Sequence, residues 1–313
     1  MSKIRGIMST THVDKHNEKV NREGLLKAAE QINLSEKTMW INWNHQSTLP
    51  PIGKVEKAWV EQLEDGEFGL YFEGELFEEN GDYTICEDLI INPEETTQLD
   101  LRISALGLSH DPRNFRDEDI NQIITELGNE FPIENRKYLR KSEVPQSVVW
   151  MTIAFIGTGI ATGILNRIGE KIADDVLKIA KPKLSKIGNT LGELKGKTIQ
   201  GDQPDYIFLL QIPGISENIE GALESPTPEV LQEACEKLPE LCVYVYKILA
   251  QNQVNYFQDL KFLFNPNTLQ WEINYLTIKK TQRIVYGKRY YQPKHPLKLK
   301  YEQELLDLKR EKK

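Results

Sequence analysis

Two spacings of apolar residues organise this chain of 313 residues. Alternation of period two, the mark of a half-buried strand, runs through 4–8, 38–43, 55–62, 68–77 and 99–108. Asp65-Gly66, between the third and fourth of these runs, is a hairpin signal. Helical spacing breaks in twice: at Leu25, Leu26, Ala29 and Ile32, with Asn21 as N-cap, and over 116–128, opened by Asp117-Glu118-Asp119 and closed by Gly128. Residues 1–115 therefore predict a mostly antiparallel β domain with an early helix, and 116–146 a helical connector.

A different pattern follows. From Val148 to Leu165 no residue carries a charge. As a helix those residues would span roughly 27 Å, close to the thickness of a bilayer's hydrocarbon core. Gly157, Gly159 and Gly163 would let a second helix approach closely. Beyond Asn166, Ile168, Ile172, Val176 and Ile179 form an amphipathic stripe. Residues 147–182 thus predict one long central helix, apolar and then amphipathic, ended by Pro182 and suited to a membrane or to burial in an assembly. Basic residues flank it on both sides, so they set no orientation. Residues 183–204, rich in Gly, Lys and Thr, read as a linker.

The remainder predicts a small α+β module over 205–299 and a charged terminal helix over 300–313. Its pieces are an apolar strand at 206–210 and a helix capped by Thr227 with Pro228 at its first position. A hairpin about 265–268 and a strand at 284–291 follow. The fold class expected for the whole chain is α+β.

Charge changes the picture at the two ends. The net charge is −8, yet acids crowd 56–100 while 279–313 collects twelve lysines and arginines. Such a C-terminus suits an anionic membrane surface or an acidic partner, or is a solvated tail. Tyr286, Tyr290 and Tyr291 lie among those cations, but aromatics near the end of a small domain usually pack inside it, so nucleic acid is not the expected partner. Cys86, Cys235 and Cys242 make neither a disulfide framework nor a metal set. No apolar core follows Met1-Ser2-Lys3-Ile4-Arg5, so no secretory leader is expected; the expected location is the cytoplasm, with membrane contact through 148–165.

Candidate chemistry centres on His45. It sits in a turn stiffened by Pro50 and Pro51 and released by Gly53, a suitable mount for a general base and equally for a structural imidazole. His12-x-Asp14-x-His16 has an alternation that a metal half-site could use, but no second cluster completes it, and neither metal nor cofactor is expected. Gly157-x-Gly159-x-x-x-Gly163 lacks the lysine of a phosphate loop. Ser109, His110 and Asp111 are consecutive, and consecutive residues do not converge on one point.

Three segments together resemble the prohead proteases of tailed phages, which share a fold with the herpesvirus assemblin serine proteases: residues 4–16 with Leu25 and Ala29, the His45 turn with Pro51-Ile52-Gly53-Lys54-Val55, and 101–114. The resemblance implies that His45 is the base for a strand-borne serine. Its nucleophile is not matched: one alignment lays Ala105-Leu106-Gly107-Leu108 on the family's Ser-Ile-Gly-Phe, leaving Ser104 next door and usable only through a change of register. The other alignment seeks the serine between 80 and 100, which offers only Thr84, Cys86, Thr96 and Thr97. Two functions follow from the resemblance. One is a phage-related, bacterial pseudoenzyme, a scaffold or recognition module for a protein partner or self-assembly, anchored by the apolar helix. The alternative is an active serine endopeptidase with His45 as base and Ser104 as nucleophile.

Overall fold

A computed structural model describes residues 2–13, 19–35, 37–42, 48, 50–77, 83–85, 100–137, 147–158, 174–199, 204–251, 257–278 and 284–286. Among these residues the chain is α+β, with five helices and two sheets.

The smaller sheet is N-terminal. Strands β1 (Ser2–Thr10), β2 (Trp40–Ile41), β3 (Gly53–Gln62) and β4 (Phe68–Leu76) pair antiparallel in the order β1-β4-β3-β2. Helix α1 (Arg22–Leu34) starts where the Asn21 side chain accepts from the backbone N–H of Gly24 at 2.8 Å. It lays Leu25 and Ala29 on Ala58 and Leu70, so one face of the sheet is its core. The last turn of α1 is tied down by Asn33, whose side-chain amide donates to the Ala58 carbonyl (2.8 Å) and accepts from the Ala58 N–H (2.9 Å).

The larger sheet takes everything else. It contains β5 (Tyr83–Ile85), β6 (Asp100–His110), β7 (Ile133–Lys137), β8 (Val148–Thr158), β9 (Asp205–Gln211), β10 (Asn218–Leu223), β11 (Phe257–Asn265), β12 (Gln270–Ile278) and β13 (Ile284–Tyr286). Their order is β5-β13-β12-β11-β10-β9-β8-β6-β7, with parallel and antiparallel pairs mixed. Helices α2 (Asp117–Gly128), α3 (Asp174–Gly192), α4 (Pro228–Glu236) and α5 (Leu238–Gln251) contribute residues to one continuous core with this sheet. Leu108, Ile123, Leu127, Val149, Ile153, Phe208 and Leu260 all lie in it with no more than traces of exposure.

Several expectations are corrected. The long central apolar helix does not exist: 148–158 is the strand β8, hydrogen-bonded between β6 and β9, and 159–165 lies outside the described residues. β8 is buried on one face and half-buried at Trp150, Thr152 and Ala154 on the other, and its sequence carries no charge on either, so it reads like a buried helix. Val149, Met151, Ile153 and Phe155 lie in the core of the larger sheet. No helix of the described residues is long and apolar enough to cross a membrane.

Pro182 does not end a helix but lies inside α3. Nor is the start of 183–204 a linker: Leu184, Ile187, Leu191 and Leu194 are fully buried at helical spacing, and this stripe holds the helix together past the proline. Finally, β6 leaves the N-terminal strands with which its sequence grouped it and pairs with β7 and β8 in the larger sheet.

The two sheets meet through polar side chains. Gln258, buried on β11, uses its amide as a substitute strand: it accepts from the N–H of Thr38 (2.9 Å) and donates to its carbonyl (2.8 Å). Beside it, the carboxylate of Asp259 accepts from Trp40 Nε1 (2.9 Å), Asn218 Nδ2 (2.8 Å) and the Thr277 hydroxyl (2.7 Å). Asn274 on β12 donates to the carbonyl of Thr48 at 2.8 Å.

Candidate functional site

The residues singled out from sequence come apart in the structure. His45 lies outside the described residues, as do Asp14, His16, Cys86, Tyr290 and Tyr291. Ser104 falls at an irregularity of register between Ile103 and Ala105 on β6, so the strand does carry the bulge that its use would require. Its hydroxyl donates to the Ala154 carbonyl of β8 at 3.0 Å. The described end of the His45 turn, Thr48, is held by β12, which is five strand steps from β6 in the sheet order.

Ser109, His110 and Asp111 do not form a triad. Ser109 and His110 alternate on β6 and so face opposite sides of the sheet. His110 is fully buried with its ring edge-on to Phe115, centroids 6.4 Å apart. Asp111 serves the turn that follows: its carboxylate accepts from the Arg113 backbone (3.0 Å) and Nε (2.8 Å), and also from Nη2. Cys235 and Cys242 are buried, and burial pushes both thiols far above the ordinary range.

Among the described residues, which leave out Asp14 and His16, no group of three or more His, Cys, Asp or Glu is placed to hold an ion. His12 clips β1 to the β3–β4 hairpin, its Nε2 lying 2.6 Å from Asp65 Oδ2. That hydrogen bond holds the Asp65 carboxyl below its usual range. Lys19 does the same for Glu67, at 2.8 Å.

What the structure brings together is a surface that sequence reasoning missed. Strand alternation gives the small sheet a second face, opposite α1. Across it, cross-strand pairing sets Ile7, Tyr71 and Trp59 in one row and Arg5, Glu73 and Lys57 in the next. Trp59 and Tyr71 stack at 6.0 Å with an interplanar angle of 15°. The Arg5 guanidinium lies 5.0 Å from the centroid of each ring and is itself held by Glu61 at 2.5 Å. Gly69 makes room for this: a Cβ there would come within 3.0 Å of the Tyr71 ring.

Among the described residues no helix covers this face, and Ile7, an isoleucine in mid-strand, is 49% exposed. Among the described residues only the lowest row, Lys3, Glu75, Lys54 and Trp40, runs into the junction with the larger sheet. The sequence signal was present. Trp59, Glu61, Tyr71 and Glu73 occupy the positions that alternate with Ala58, Val60, Leu70 and Phe72.

A row of stacked aromatics flanked by an arginine has the composition of a protein-binding hot spot. It offers no nucleophile, and its carboxylates oppose a phosphate backbone.

Comparison of the chain with family models, with curated proteins and with solved structures found no match.

Proposed function

We propose that this chain works by binding and not by catalysis: a recognition or scaffold module built on a prohead-protease-like N-terminal unit, with the uncovered face of the small sheet as its working surface. The observation that carries the reading is the Trp59–Tyr71 stack, half-buried and covered by the Arg5 guanidinium. Rigid aromatic side chains lose little entropy when a partner covers them.

One further observation supports it over the peptidase. The Ser104 hydroxyl is engaged with the Ala154 carbonyl inside the sheet.

Exposure of the full chain to a fluorophosphonate probe tests this. The expected result is no covalent adduct by intact mass. An adduct that disappears in Ser104→Ala would establish the serine peptidase and overturn the binding reading.

A further inference from the structure

We infer that the occupant of the uncovered face is a second copy of this chain, packed sheet against sheet about a two-fold axis. The inference rests on the reading of that face as the working surface and adds the identity of its partner.

The charges on the face decide it. By register and contact the face carries Lys3, Arg5, Lys54 and Lys57 against Glu56, Glu61, Glu73 and Glu75. Three of the cations already sit beside carboxylates: Lys3–Glu73 at 3.2 Å, Arg5–Glu61 at 2.5 Å and Lys54–Glu75 at 3.5 Å. The face is therefore neutral, on a chain whose net charge is −8.

A polyanion or a strongly basic partner would find no complementary field here. A second copy would, because an isologous interface presses a patch against itself and tolerates only a patch without net charge. Arg5 and Lys57 lie on one side of the apolar row of Ile7, Tyr71 and Trp59 and Glu61 on the other, so a two-fold axis running along that row sets cations of one copy against the carboxylate of the other. Aligned sheets pack about 10 Å apart, a gap that aromatic and branched side chains from both faces fill.

Size sets the strength. Three strands of nine or so residues project an area on the order of 400 Å². That falls short of the roughly 800 Å² per partner typical of tight complexes, so the dimer is weak and concentration-dependent.

Sedimentation equilibrium of the full chain, from about 1 µM to about 300 µM, tests the inference across the range expected of a small interface. The wild type shifts from monomer to dimer. Trp59→Ala and Tyr71→Ala each weaken association at least tenfold. Arg5→Glu does the same by making the face acidic, and Arg5→Glu combined with Glu61→Arg restores charge balance and association. Arg5 and Glu61 are both more than half exposed or nearly so, so these swaps leave the fold intact, as circular dichroism and the urea midpoint will show. A chain that stays monomeric throughout, or a dimer that survives Trp59→Ala and Arg5→Glu, overturns the second copy. If the monomeric chain still exposes Trp59 and takes no fluorophosphonate, the binding reading stands with a different partner; if Trp59 is shielded in the monomer, both fall.

Discussion

At the scale of single residues, Asp259 gathers three donors at the junction of the two sheets, one of them, Trp40, from the smaller sheet. Trp40, Asn218 and Thr277 all donate to it, and it is 6% exposed. Removing an acceptor from a buried network costs more than the hydrogen bonds themselves, because the donors are left desolvated. Asp259→Ala should lower unfolding stability by about 2–4 kcal/mol in urea titration; a loss below about 0.5 kcal/mol would show the junction to be incidental. Asp65 yields a pH effect. Its carboxyl is held low by His12, so its folded pKa lies below its unfolded one. The clip's contribution is thus complete above the ordinary aspartate range and is lost as pH falls through the lowered value. Carbon-detected NMR titration should place Asp65 below about 3.9 in the wild type and move it upward in His12→Ala; an unmoved Asp65 would exclude the clip as the cause.

At the scale of elements, strands bounded by turn residues were legible, and β8, whose uncharged run extends to Leu165, was not. β3 and β4 alternate Ala58, Val60, Leu70 and Phe72 with polar or aromatic residues, and the Asp65-Gly66 turn joins them as its residues require, with Gly66 at φ +90°. The caps Asn21 and Thr227 also read directly, since their side chains meet free helix N–H groups. β8 carries no alternation, because α helices cover one side of the sheet and its other side includes Val148 and Trp150 among a second apolar cluster. Period alone could not separate it from a helix. Helix α3 misled for the opposite reason: Pro182 signalled a stop that tertiary packing overrides. That packing is close enough to test. A Cβ at Gly188 of α3 would lie 2.6 Å from Gln232 Cα of α4, so the helices approach backbone to backbone. Gly188→Ala should cost about 1–3 kcal/mol despite its better helix propensity; a stabilised variant, measured by thermal melting, would mean the two helices are not in contact.

At the scale of the whole molecule, the candidate site was half visible. Each strand of the small sheet showed which of its residues lie opposite the core, but only the order β1-β4-β3-β2 puts Arg5 beside Trp59 and Tyr71, residues more than fifty positions away. Long-range pairing of this kind leaves no local trace in sequence. The chain thus presents a larger sheet closed on one side by helices and a smaller sheet fixed to it through Asp259 and Gln258, with its aromatic face turned outward. The central claim is that this face is open to a partner. Fluorine NMR of the full chain labelled with fluorotryptophan, at low concentration and with Trp59→Phe assigning the resonance, reads it most directly. The account predicts a solvent isotope shift and ready quenching for Trp59, with Trp271, buried against Phe208 and Phe264, protected from both. A Trp59 as protected as Trp271 would contradict it.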